Sequence, residues 1–455
     1  MTTTAAEIAH HAHGTVIGAP DAVVASWAFD SRALAPGACF VALRGDRDGH
    51  DFVADAFAAG ATVALVSEVP PGVLPPPGAA MVEVDDVLVR LQELASAART
   101  ARGELRVVGV AGSTGKTSTK DLLAAVLTPL GCYASPASHN NEFGLPITLL
   151  NAPADAHIVV AEMGERFPGD LAALCSIARP SVGVVTNVGL AHAEHLGGAA
   201  GAAKAMGELL DSLPAGGLAV LNADDEWTPS LHVAPGVEVV TVGRVVGADY
   251  RVERVVLDDH LHPTFSMGGR QFTVPLHGEH QVANAALAVV AAHRGFGVDL
   301  DVAAVALAEV RPARWRLEIH VTGRGVTVLN DAYNANPASM HAALRALARV
   351  PTTGRRIAVL GDMLELGIHS EDAHSAVGRH AGELGIDVVI GVGSGGRAIA
   401  DAAASAVAEI DVANDAGEAL GIVVALAAAG DTVLVKASRD VGLEIVAVEL
   451  LGAAS

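Results

Sequence analysis

The stretch VVGVAGSTGKTSTK, residues 107–120, decides the fold. Apolar β-branched residues lead into a turn rich in Gly, Ser and Thr, then Gly115-Lys116-Thr117, then residues able to open a helix. Glycines let the backbone curl so that several N–H groups face one anion, and the helix behind them adds its positive N-terminal end. The spacing predicts a phosphate cradle of Gly112, Ser113, Thr114, Gly115, Lys116, Thr117 and Ser118. Lys116 would reach the terminal phosphates, and the Thr117 hydroxyl would meet Mg²⁺. The usual P-loop has a further glycine five residues before Gly115; Val110 stands there, so this turn is a variant.

Outward from the cradle, strands and helices alternate. RVVGVA (106–111), HIVVAE (157–162), VGVVTN (182–187), LAVLN (218–222) and VEVVTV (237–242) read as buried parallel strands. Residues 250–276 suggest a small antiparallel patch, and 280–295 a helix. The same alternation returns in GVTVLNDAYNAN (325–336), RIAVLGDM (356–363), DVVIGVG (387–393) and DTVLVKAS (431–438), a second doubly wound unit. Ahead of the cradle lie the short apolar runs CFVAL (39–43), TVALVS (62–67) and AMVEV (80–84), then a helical stretch, 87–102. The reading is α/β in three domains: 1–103, 104–313 and 314–455.

At 455 residues the chain exceeds one ordinary domain. Only 3% of it is aromatic, so Ala, Val, Leu and Ile must build the core. A net charge of −22 repels nucleic acid, and anions must be bound by local amides, Mg²⁺ and a few placed cations. No membrane-spanning run or signal peptide is read, and Cys39, Cys132 and Cys175 are far apart, so a cytoplasmic protein is expected.

Ligands of open α/β sheets collect at the carboxyl ends of the strands. Glu162 ends HIVVAE, where it suits Mg²⁺, though a solvated strand end explains it too. Asn187 and His192 follow the next strand. His139, Asn140, Asn141 and Glu142 crowd into one turn, which capping alone also explains. The His clusters at 10–13 and 260–262 carry no second ligand set nearby in sequence and are not read as metal sites.

The ordered motifs GVAGSTGKTSTK, NNEFGLPITLL, EMG, TNVGLAH and GEHQVANAALA resemble the central domain of the Mur ligases. RWRLEI (314–319), NDAYNANPASM (330–340), LGDMLELG (360–367) and VKASRDVGLE (435–444) are similar to their carboxy-terminal, Rossmann-like domain. DSRALAPGACFVALRGDRDGHDF (30–52) resembles their amino-terminal, nucleotide-sugar-binding domain. Within the family, DAYNANP and GDMLELG point to the branch whose substrates are UDP-N-acetylmuramoyl-tripeptide and D-alanyl-D-alanine.

The resemblance implies a monomeric, ATP-dependent amide ligase that works through an acyl phosphate, with two Mg²⁺ ions. It gives Lys116 the β/γ-phosphates, Thr117 and Glu162 one ion, and His192 a second. Asn140, Asn141 and Glu142 would line the transfer site, and Asn284 would read adenine. Arg316 and Asp331 would reach phosphate and ribose, Asn334 and Asn336 the dipeptide, Ser31 and Arg32 the uridine end. The third domain would swing in over bound ATP.

One position departs. The family carries a CO₂-carbamylated lysine fourteen residues after the histidine matching His192, and here that position is Met206. Lys204 lies two positions away on the helix and does not share its face. A sibling ligase, a folylpolyglutamate-type synthetase, a non-catalytic Mur-like binding protein and a plain P-loop NTPase switch remain open on the sequence.

Overall fold

A computed structural model describes residues 3–452. Its centre is a seven-stranded, wholly parallel sheet. Across the sheet the strands run Tyr250–Arg251, Glu238–Gly243, Leu218–Asn222, Val182–Val185, Arg106–Ala111, Ile158–Glu162 and Cys132–Ala134. The inner strands are buried on both faces, as their unbroken apolar runs require. Helices Lys116–Leu127 and Gln281–Phe296 cover one face; Asp170–Ala178 and Ala199–Asp211 cover the other.

Register matters more than content here. Glu162 pairs with Val110, and Val185 pairs with Ala111. Three neighbouring strands therefore end level, and the loops after them share one rim. The chain leaves the strand Arg106–Ala111 in both directions across the sheet, so the crevice where strand order reverses opens at that rim. Val110 is explained as well: it is a buried strand residue, and the turn starts only at Gly112.

The first unit holds a five-stranded sheet in the order Thr15–Gly18, Ala80–Glu83, Val63–Val66, Ala38–Val41, Ser26–Ala28, with a separate antiparallel pair, Thr3–Thr4 and Val23–Val24. The last holds six: Glu318–Val321, Thr327–Asn330, Thr432–Lys436, Arg356–Gly361, Val388–Val392 and Glu409–Ala413. Only the first of these six is antiparallel to its neighbour. The antiparallel patch is a three-stranded sheet, Glu253–Leu257, Pro263–Met267 and Arg270–Thr273. Strands Cys132–Ala134, Glu318–Val321 and Glu409–Ala413 went unread in the sequence because they lie at sheet edges, half-buried and without an apolar run. Among the described residues no helix is long and apolar enough to cross a membrane.

Asn151 ties the first unit to the central one. Its carboxamide accepts from Trp27 N–H (2.8 Å) and donates to Trp27 C=O (2.9 Å), completing the free edge of strand Ser26–Ala28. Asn151→Ala leaves both groups of the buried Trp27 backbone without this partner, at a cost of about 1–3 kcal/mol. Hydrogen exchange at the Trp27 amide should accelerate and the first unit should melt earlier. Unchanged exchange and melting would show that the bridge carries no stability.

Candidate active site

The P-loop is shaped by the neighbouring strand's loop. Asn187 accepts from the Thr114 N–H (3.0 Å) and donates to the Thr114 hydroxyl (2.7 Å), and its carbonyl accepts from the Ser113 N–H. Gly189 N–H donates to the Ser113 hydroxyl at 2.8 Å. Two glycines are obligatory. Gly112 has φ +140° and a Cβ there would sit 2.0 Å from Thr186 Oγ1; Gly115 has φ +79° and a Cβ would sit 2.4 Å from Asn284 Oδ1. Asn284 thus packs against the cradle, held by Gln281 at 2.9 Å.

Thr117 is the meeting point. Its hydroxyl donates to Glu162 Oε2 at 2.9 Å and accepts from Arg316 Nη2 at 3.1 Å, across 199 residues of sequence. Asn140 Nδ2 donates to the other Glu162 oxygen at 2.8 Å. Glu162 is buried, so both of its oxygens are held in place by hydrogen bonds. Arg316 also lies over the Tyr333 ring, 4.1 Å from its centre. Lys116 Nζ donates to the Gly112 carbonyl and lies 3.7 Å from Glu165 Oε2.

His192 sits at φ +53° and Glu365, from the last unit, at φ +60°, both in the left-handed region that favours glycine. Glu365 binds His192 Nδ1, and its other oxygen pairs with Arg166 at 2.6 Å. A histidine whose Nδ1 is bound to a carboxylate presents Nε2 as a ligand, the arrangement common at metal sites. Burial lowers the His192 pKa, and the Lys116 charge lowers it further against the pull of Glu365, which favours the neutral, ligating ring.

The remaining expected residues are placed as follows. Asp331 pairs with buried Lys436 (2.7 Å) and accepts from Leu317 N–H (3.0 Å). Asn336 caps helix Pro337–Arg349 and donates to the Ser113 carbonyl at 3.2 Å, latching the last unit onto the cradle. Asn334 accepts from the Ala335 N–H and Asn141 from the Gly144 N–H, both local turns. Ser31, Arg32 and Glu142 line a cavity of about 720 Å³ in and beside the first unit, so Glu142 faces that cavity while Asn140 faces Glu162. A second cavity, about 380 Å³, lies between the central and last units, lined by Val252, Leu261, Ala283, His280 and Arg345 among others. Among the described residues no three His, Cys, Asp or Glu side chains converge as a ready-made metal cage. The hard oxygens of Thr117 and Glu162 nevertheless suit Mg²⁺, which draws most of its ligands from water and phosphate. The discounted His260 and His262 stand with His277, whose ring stacks on that of His262 at 4.8 Å.

Sequence reasoning missed Glu165 and Glu365. Glu365 stood inside the quoted LGDMLELG; only the fold brings it to His192, 173 residues away. Glu165 carries no motif signal. It is buried, among the described residues neither of its oxygens has a partner at hydrogen-bond distance, and burial raises its pKa to about 7 against the charge of Lys116.

The Mur ligase middle-domain family model matches residues 110–292. The model of the glutamate ligase domain matches 315–439, and the Mur ligase catalytic-domain model matches 25–99. UDP-N-acetylmuramoyl-tripeptide–D-alanyl-D-alanine ligase of Mycobacterium tuberculosis is 40% identical over 92% of this chain and 90% of its own. The ligase of the same name from Bacillus subtilis is 36% identical over 94% and 93%. Among solved structures, MurF from Acinetobacter baumannii superposes with TM-score 0.85 at 28% identity, covering 99% of each chain. MurF ligase from Thermotoga maritima in complex with ADP does so with TM-score 0.76 at 29% identity, over 94% and 97%.

A raised carboxyl pKa favours the protonated, folded form, so Glu165 weakens the metal-free fold as pH climbs from about 4.5 through about 7. The ceiling is on the order of 3 kcal/mol. Between pH 5 and pH 8, Glu165→Gln should therefore gain stability relative to the parent by up to that amount. Denaturation of both proteins at the two pH values checks it; a pH-independent difference would contradict it.

Proposed function

The chain belongs to the Mur ligase family, and we propose that it uses ATP to join D-alanyl-D-alanine to UDP-N-acetylmuramoyl-tripeptide, giving the pentapeptide precursor of peptidoglycan. The observation that carries this is Thr117, held between Glu162 of the central sheet and Arg316 of the last unit. A nucleotide's phosphates would there meet an acid, a cation and the P-loop amides together. The relatives' shared name supplies the substrates.

A carboxylate is a poor electrophile, and phosphorylation cures that. The tripeptide's terminal carboxylate oxygen bonds to Pγ as the bond to the bridging oxygen of ADP breaks. The dipeptide amine then attacks the acyl carbon, phosphate leaves, and the amine sheds a proton. The amides of Gly112–Ser118 hold the phosphates, and Lys116 transfers from the Gly112 carbonyl to them. Arg316 adds a second cation from the far side. Thr117 and Glu162 would hold one Mg²⁺ and His192 a second; bound there, the ions offset the repulsion between phosphoryl oxygens and carboxylate. Asn140 fixes Glu162, and Glu365 fixes His192.

The three units divide the labour as residues 1–103, 104–313 and 314–455. Ser31 and Arg32 would take the uridine end in the 720 Å³ cavity. Asn284 would place adenine beside the 380 Å³ cavity, which its neighbour Ala283 lines, and Asp331 would meet the ribose. Asn141, Glu142, Asn334 and Asn336 would order the tripeptide end and the dipeptide. The last unit closes the site against water, working as a cytoplasmic monomer.

With tripeptide nucleotide and ATP, phosphate release should require D-alanyl-D-alanine and not accept single amino acids. Lys116→Ala should cut the rate at least about a hundredfold. Release at full rate without an acceptor would mark an NTPase instead, and release with a single amino acid a sibling ligase.

A further inference from the structure

Met206 is fully buried on helix Ala199–Asp211, within the apolar layer that also holds Met163, Cys175 and Leu209. It offers no anionic oxygen, and Lys204 points to solvent on a different face. The negative group that a carbamylated lysine brings to this part of the family's site is therefore missing from its expected position.

Glu165 supplies one from another element. It lies three residues beyond Glu162, on the loop leaving the rim, with its side chain wholly out of solvent. Among the described residues neither carboxylate oxygen has a partner at hydrogen-bond distance. Among the described residues its one ion-pair partner is Lys116 at 3.7 Å. Arg166, the next residue, ties the same loop through Glu365 to His192. The Lys116 charge acts on both Glu165 and His192, so the three share one electrostatic neighbourhood. A buried carboxylate left without hydrogen bonds is expensive, and proteins seldom keep one without use. Once Lys116 moves to a phosphate, Glu165 loses that counter-charge. A divalent cation, hard and oxygen-seeking, restores it.

We propose that Glu165 replaces the carbamylated lysine, sharing with His192 a second divalent-cation site that needs no CO₂. This rests on the ligase reading for the phosphates that complete the site.

The test counts Mn²⁺ bound by the full-length protein with β,γ-methylene-ATP, from the electron paramagnetic resonance signal of free Mn²⁺, in CO₂-free buffer. The parent protein should bind two ions, unaffected by added bicarbonate. Glu165→Ala and Glu165→Gln should keep the first ion and weaken the second at least about tenfold. Retention of the first ion shows that a variant is folded with its P-loop intact; should one variant misfold, the other decides. Two ions in both variants, a second ion in the parent that needs bicarbonate, or one ion in the parent under either condition would each overturn the proposal. The ligase reading is scored separately, by dipeptide-dependent phosphate release from the parent, and can fail while the ion count stands.

Discussion

Three parallel strands that end level are the constraint on which the rest depends. Because Glu162 lies against Val110 and Val185 against Ala111, the P-loop, the acid and the Asn187 loop leave the sheet at one height. Parallel pairing buried on both faces fixes that register: a one-residue slip would turn the inward side chains of each strand to the wrong layer. Asn187 can shape the cradle, and Thr117 can reach Glu162, only because of it.

On this frame the chain assembles positive charge against its own acidity. Its net charge of −22 would repel a triphosphate and a carboxylate, yet Lys116 and Arg316 converge on the cradle from separate units. The last unit's contacts with the central one include Arg316 on Thr117, Asn336 on the Ser113 carbonyl and Glu365 on His192. Two of these also orient groups that would face substrate or metal. The contacts that join the last unit to the central one therefore also complete the site, and His192 and Glu365 meet there with left-handed backbone.

The legible parts of the sequence were those in which local pattern and burial agree. Continuous Val and Ile runs gave the inner strands, and GKT after such a run gave the cradle. Edge strands such as Cys132–Ala134 were lost because a half-buried, three-residue segment has no period to read. In the site, Thr117 and Asn140 both hydrogen-bond to Glu162, and Glu142 lines the cavity beside the first unit. Glu365 matters through a partner 173 residues away, and Glu165 through hydrogen bonds it does not make; neither property exists in a one-dimensional string. Met206 was visible only as a departure, and its burial shows why a methionine is comfortable there.

The central claim is that phosphate is transferred to a carboxylate before the amide forms. Tripeptide nucleotide labelled with ¹⁸O in its terminal carboxylate tests this directly, by mass analysis of the phosphate released in the presence of ATP and D-alanyl-D-alanine. Transfer through an acyl phosphate places one labelled oxygen in the phosphate at each turnover. Unlabelled phosphate accompanying full amide formation would contradict the account.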